Sequence, residues 1–257
     1  MRHFGTHIRV VSALVVREMS TRFGGKPGGY MWAILEPAAY IALLTMVFSA
    51  ISRVPALGSN FPLFFATGFL SYQFYQATSG YVAAALRSNM NLLSYPAVAP
   101  IDTLAARLIL QTGTSALVAV LVFFTIAWTM GLHLQLNWTD IFEAASLASI
   151  LAFGVGLMNN VAFMKYPLYE QLFGIVTRPL FMMSGVFFLP DQMPHPYQDV
   201  LLFNPLCHVI MLFREGFYPE YRATGLDIRY LAEFSFVALF LGMIVFTFSR
   251  ATIRGRQ

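Results

Sequence analysis

The chain has 257 residues, of which 58% are apolar and only 11% are Asp, Glu, Lys or Arg, with a net charge of +4. A soluble domain carries roughly 25% charged residues. This chain is too poor in charge to be wetted over its own surface, which excludes a soluble enzyme or a nucleic-acid-binding protein. It points instead to one all-α polytopic membrane domain over residues 1–257 that moves, modifies or anchors something at a membrane.

Residues 1–29 form the first segment. Ile8, Val11, Val15 and Met19 recur at helical spacing, with Arg9, Arg17, Ser20 and Thr21 toward the other side. This predicts a helix over 4–23 lying in the cytoplasmic headgroup layer. The apolar run 8–16 is short, meets Arg17 and Glu18 at once and lacks an A-x-A site, so it is expected to remain uncleaved. Gly24, Gly25, Pro27, Gly28 and Gly29 then break the helix.

A spanning helix needs ~20 largely apolar residues. Six stretches qualify: 30–51, 62–86, 104–131, 141–164, 172–189 and 231–249. Arg2, Arg9, Arg17, Arg22 and Lys26 precede the first. Arg87 follows the second, Lys165 the fourth, and Arg250, Arg254 and Arg256 the sixth. The opposite loops hold little beyond Arg53, Asp140 and Glu143. The positive-inside bias thus places both termini of a multi-pass membrane protein in the cytoplasm.

Within span one, Glu36 precedes Pro37 at membrane depth. Within span two, Tyr72, Tyr75, Gln76 and Ser79 share a face with Gly68. Such a face could line a carbohydrate path, by ring stacking and hydroxyl bonding, or simply pack against other helices. The loop 88–100 contains Asn91, Leu92, Leu93 and Tyr95 and ends at Pro96 and Pro100. It reads as a short docking helix for a partner, or as an ordinary loop. Span four carries Ala148, Ala152 and Gly156 at four-residue spacing, a close-packing face. Span five carries Arg178 before Pro179. A charge at this depth either pairs with Glu36 or snorkels, or it faces a pathway for an anion.

The segment 190–230 holds Pro190, Pro194, Pro196, Pro205 and Pro219 around an apolar piece, 206–213, too short to span. It predicts re-entrant or interfacial helices at the outer face. The tail 250–257 is basic. Cys207, the one cysteine, reads as a small core residue, and the histidines lack metal-ligand spacing. There is no G-x-x-x-x-G-K-[ST] phosphate loop, so the chain is not expected to hydrolyse ATP by itself.

The series Arg17, Glu18, Thr21, Arg22, Phe23, Gly24, Lys26, Gly29, Trp32, Glu36 and Pro37 resembles the N-terminal signature of type-2 ABC exporter permeases. Phe23 stands where tyrosine is usual. Glu36-Pro37 and Lys26 are most similar to the capsular polysaccharide export branch. Further similar stretches are Asn91 to Tyr95 with Asp102 and Thr103, Arg178 to Phe181 with Ser184 to Phe188, Asn204 to His208, and Phe213 to Phe217.

The resemblance implies six spans with a cytoplasmic interfacial helix, a coupling helix after span two and re-entrant periplasmic helices after span five. It implies a homodimer with two ABC ATPase subunits that bind the ATP and Mg, and no cofactor in this chain. The cargo would be a lipid-linked acidic polysaccharide, passed on to a periplasmic co-polymerase and an outer-membrane exporter. Arg17, Glu18, Arg22, Asn91, Leu92, Leu93 and Tyr95 would couple to the ATPase. Arg178, Tyr72, Tyr75, Gln76 and Ser79 would line the path. Arg214, Arg222 and Arg229 would add positive potential or pair locally with Glu215, Glu220 and Asp227. Export of O-antigen or teichoic-acid polymers is the alternative within the family, and a membrane glycosyltransferase or polymerase is the alternative outside it.

Overall fold

In hydrocarbon a backbone amide has no water to bond, so each crossing segment must satisfy its own N–H and C=O groups, and a helix does this. The computed structural model describes residues 2–23, 28–93 and 98–254, and those residues fold into helices joined by short loops. The long helices are α1 (Arg2–Phe23), α2 (Tyr30–Ile51), α3 (Phe61–Ala83), α6 (Pro100–Met130), α7 (Trp138–Lys165), α8 (Pro167–Met182) and α11 (Ile228–Arg254). Shorter ones are α4 (Ala85–Ser88), α5 (Met90–Leu93), α9 (Tyr197–Leu202) and α10 (Pro205–Phe217).

Among the described residues, four helices are long and apolar enough to cross a membrane: Tyr30–Ile51, Pro100–Met130, Trp138–Lys165 and the Ile228–Ser249 part of α11. Helix α3 has 23 residues, about 35 Å at 1.5 Å per residue, but carries Thr67, Ser71, Gln73, Gln76, Thr78 and Ser79. It can be polar because it runs through the middle of the bundle, packed on α2, α6, α7 and α10. The predicted fifth span ends early. Helix α8 begins at Pro167 and stops at Met182, seven residues before 189, and the chain turns through Gly185 at φ +82°. Helix α11 runs on through Arg254, into the tail predicted from residue 250.

Helix α7 is the hub, packed on α11, α3, α10 and α8. Its small residues make this possible. A Cβ on Gly156 would come within 2.8 Å of the Val82 side chain and 3.0 Å of the Ser79 carbonyl oxygen on α3. A Cβ on Gly154 would strike the α11 backbone at Ala238 and Leu239. Ala148 and Ala152 are buried on the same helix. Lipid tails are as apolar as leucine, so close van der Waals approach of this kind carries much of the association between helices.

The segment after α8 folds back as a 3₁₀ turn, α9 and α10. Helix α10 starts at Pro205, with the Asn204 side chain accepting from the Leu206 N–H at 3.1 Å. Its 13 residues reach only about 20 Å, short of a ~30 Å hydrocarbon core, and its buried residues face α3, α7 and α11.

Gly156→Leu is expected to cost about 1–3 kcal/mol by overpacking, a Tm loss of roughly 2–10 °C in detergent. Gly174→Leu, where an added Cβ meets nothing within 4 Å, is expected to leave Tm unchanged or slightly raised.

Candidate functional site

Two buried cations organise the two ends of the bundle. At the α1 end the centre is Glu18, only 6% exposed although it belongs to a surface helix. It lies one turn after the buried Leu14, on the face of α1 that packs against α6. Arg107 of α6, 5% exposed, donates from Nε to Glu18 Oε1 at 3.1 Å and from Nη2 to Oε2 at 3.2 Å. Asn89 donates to Oε1 and the Tyr81 hydroxyl to Oε2, each at 2.7 Å. The remaining Arg107 nitrogen, Nη1, donates to the Tyr81 carbonyl oxygen at 3.1 Å.

A second layer extends this clamp. The guanidinium groups of Arg107 and Arg22 lie 4.4 and 4.5 Å from the centre of the Tyr81 ring. Arg22 also donates to Gln111 Oε1, and Arg17 to Asn89 Oδ1 at 2.9 Å. Nearer the start of α1, His7 Nδ1 lies 2.9 Å from Asp102 Oδ1, and Asp102 accepts the Ala99 N–H at the start of α6. Helix α1 is thereby fastened to the end of α3, to the residue joining α4 and α5, and to the first turns of α6. Burial by itself raises the Glu18 pKa. The hydrogen bonds from Asn89, Tyr81 and Arg107, with the Arg107 charge, outweigh it and hold the carboxyl below its ordinary value.

At the opposite end the centre is Arg214 of α10, fully buried. Its Nη1 donates to the Gly185 and Phe188 carbonyl oxygens at 2.8 and 3.2 Å, and its Nη2 to Val186 O at 3.0 Å. Its guanidinium lies 4.3 Å from the centre of the Phe64 ring. Carbonyl oxygens of the turn after α8 thus solvate both Nη groups of the cation and pin that turn to α10, while the buried Nε has no hydrogen-bond partner among the described residues. Gly68 leaves the room for it, since a Cβ there would sit 2.7 Å from Nη2. His208 adds a further tie. It pairs with Leu202 O at 2.9 Å and accepts the Asp227 N–H at 3.1 Å.

The predicted site residues fall in different places. Arg17, Glu18 and Arg22 come together in the clamp. Leu92 is half-buried in α5, with Asn91 and Leu93 on the same short helix, while Tyr95 lies outside the described residues. Tyr72, Tyr75 and Ser79 are buried and Gln76 half-buried, with Tyr72 and Tyr75 packed among Leu151, Val186, Leu206 and Ile210. The Tyr72 hydroxyl donates to Thr177 O at 3.4 Å, beside Arg178. Arg178 and Glu36 are both exposed on the chain, and among the described residues no ion pair joins them. Arg214 bonds to carbonyl oxygens rather than to Glu215, Glu220 or Asp227, and Arg229 pairs with Glu233 at 2.7 Å.

Helix α1 also has an inward face. Leu14 and Glu18 turn inward, while Ile8 and Met19 stay exposed. A count of apolar residues cannot register a glutamate buried by its partner. Arg107, Tyr81 and Asn89 were not singled out as site residues. The available signal was Arg107, a charge inside predicted span three, which required an acidic partner.

A family model described as ABC-2 type transporter matches residues 9–218, a range that contains both buried cations. The chain belongs to the ABC-2 type transporter family. Within it, the chain is similar to the polysialic acid transport protein KpsM of Escherichia coli, 35% identical over 237 residues, 92% of each chain. It is also similar to the capsule polysaccharide export inner-membrane protein CtrC of Neisseria meningitidis, 26% identical over 92% of this chain and 89% of that one. The O-antigen export permease RfbA of Klebsiella pneumoniae is 19% identical over 78% of this chain and 77% of that one.

Removing one partner of the Glu18–Arg107 pair strands the other charge, so Glu18→Gln and Arg107→Met are each expected to cost about 3–5 kcal/mol. The double variant is expected to cost less than the sum, as a double-mutant cycle by denaturation in detergent reads directly. Because the folded pKa of Glu18 is depressed, its contribution is present above about pH 5 and is lost as pH falls through the lowered value. Wild-type stability is therefore expected to fall with acid more steeply than that of Glu18→Gln.

Proposed function

We propose that this chain is the transmembrane permease of an ATP-driven exporter that carries lipid-linked acidic capsular polysaccharide across the bacterial inner membrane. The observation that carries this reading is the likeness to KpsM over 92% of both chains. The buried clamp supplies its mechanics.

In this reading α2, α3, α6, α7, α8 and α11 are six spans with both termini in the cytoplasm, and α9 and α10 are re-entrant at the periplasmic face. Two copies form the pathway, and two ABC ATPase subunits bind ATP and Mg against the cytoplasmic side. ATP binding draws the ATPases together and pushes on α1 and the segment 88–97. The Glu18–Arg107 bonds pass that push to α6, and Tyr81 and Asn89 pass it to the end of α3. Arg178, exposed on the protomer, faces the pathway and attracts the anionic polymer, with Gln76 nearby on α3. Tyr72, Tyr75 and Ser79 support that wall from behind. A periplasmic co-polymerase and an outer-membrane exporter receive the polymer.

Deletion of the gene in its own host is expected to trap acidic polysaccharide inside the cell with none on the surface, by fractionation and surface staining. Complementation with Arg178→Lys is expected to restore most surface polymer. Arg178→Ala is expected to leave it lower by roughly tenfold, about 1.4 kcal/mol in effective interaction. Normal surface polymer in the deletion would overturn the exporter reading, and equal rescue by both variants would overturn the role of Arg178.

A further inference from the structure

The connection between α10 and α11, residues 218–227, leaves α10 one turn after Arg214. Its Tyr218, Tyr221 and Arg222 form one wall of a surface cleft of about 670 Å³. Three side chains hold this connection, each by accepting a hydrogen bond. Asp191 Oδ1, in the 3₁₀ turn, accepts the Tyr221 hydroxyl at 2.7 Å. Glu215 Oε1 accepts the Ala223 N–H at 2.8 Å. His208 Nδ1 accepts the Asp227 N–H at 3.1 Å. A carboxyl that gains a proton still has a second oxygen to accept with, but an imidazole nitrogen has a single lone pair.

Backbone partners fix the form of the His208 ring. The Asp227 N–H can only donate, so Nδ1 carries no proton. The Leu202 carbonyl can only accept, so Nε2, 2.9 Å from it, carries one. The ring is therefore neutral, and it is 2% exposed. A second proton can go only to Nδ1, where it would face the Asp227 N–H and abolish the bond. Asp227 also starts α11. Its carbonyl accepts the Leu231 N–H at 3.1 Å and its carboxylate the Tyr230 N–H at 2.9 Å. Loss of the His208 bond therefore reaches the first turn of that helix.

Helix α10 packs on α3, α7, α9 and α11. Helix α3 has no charged residue, and α7 has Asp140, Glu143 and Lys165 only toward its ends. Helix α9 carries Asp199, 3.1 Å from His195, and α11 carries Arg229, paired with Glu233. Helix α10 itself carries Arg214 and Glu215. The Asp227 carboxylate is the charge that acts on the ring. Burial lowers the His208 pKa below its ordinary 6.5, outweighing the Leu202 bond and the Asp227 charge, which favour protonation. A buried histidine with a lowered pKa binds its proton less readily than the unfolded chain does. The bond is thus complete at neutral pH and is lost as pH falls through a value below 6.5.

We propose that residues 218–227 are a strap released by acid, with protonation of His208 as the trigger that frees its Asp227 end. Asp191 and Glu215 go on holding the half that contains Tyr221 and Ala223. In the orientation proposed above, the strap faces the periplasm.

The test places a nitroxide at exposed Thr224 by Thr224→Cys in a Cys207→Ala background of the full-length chain in detergent. Its mobility is followed by electron paramagnetic resonance from about pH 8 to about pH 5. A second label at exposed Val120 serves as reference. The Thr224 label is expected to be restrained at neutral pH and to become mobile reversibly, with a midpoint below 6.5. The mobile-to-restrained ratio is expected to rise by up to about tenfold per pH unit, the limit for one proton. In His208→Asn, whose amide oxygen can still accept but does not titrate, the transition is expected to vanish. In a variant with both Asp191→Asn and Glu215→Gln it is expected to persist with the same midpoint. Constant mobility in the parent chain overturns the proposal, as does a transition that survives in His208→Asn. If His208→Asn does not fold, the double variant decides. A transition retained there supports the His208 trigger, and one lost there overturns it.

Discussion

A carboxylate and a guanidinium taken out of water must satisfy one another, and the α1 end of this protein is built around that requirement. Glu18 alone on a buried helix face would be destabilising. With Arg107 forked onto it and Asn89 and Tyr81 filling the remaining directions, the group is satisfied. The same bonds fix which face of α1 meets the bundle. A purely apolar face could rotate or slide in the headgroup layer at little cost. A bidentate ion pair with two further donors cannot, because every displacement breaks charge-assisted bonds in a poorly solvated place.

The opposite end solves a similar problem with different chemistry. Arg214 is solvated by carbonyl dipoles rather than paired with a carboxylate, so the bonds to its two Nη groups also hold an irregular turn of backbone. Irregular backbone is stable where its carbonyl groups find donors, and here Arg214 supplies them. Between the two ends, α7 brings α3 and α11 into contact through Gly154 and Gly156. A polar clamp, a close-packed middle and a cation-held turn together tie the helices to one another from end to end.

Much of this was legible in the amino-acid sequence. Helices α2, α6, α7 and α11 follow from hydropathy, and the packing role of Gly156 follows from its spacing with Ala148 and Ala152. Helix α8 was misplaced at its end because 183–189 is as apolar as the helix before it. What stops the helix there is the demand of Arg214 for the carbonyls of Gly185, Val186 and Phe188, a contact 26 to 29 residues distant in the chain. The inward face of α1 was missed for a related reason. Periodicity weighs side chains one at a time, whereas Glu18 is buried only because Arg107, 89 residues away, is buried with it. The resemblance to exporter permeases picked out Arg17, Glu18 and Arg22, but it did not show that Glu18 points into the bundle.

The central claim is that α1 and α6 move as one body. Spin labels at Ser12 and Val120, both exposed, in a Cys207→Ala background of the assembled transporter, measure this directly. One narrow distance distribution is expected, the same without nucleotide and with ATP bound, and a broadened distribution in Glu18→Gln. A wild-type distance that shifts by about a helical turn, ~5 Å, between the two states would contradict it, as would a Glu18→Gln distribution identical to the wild type.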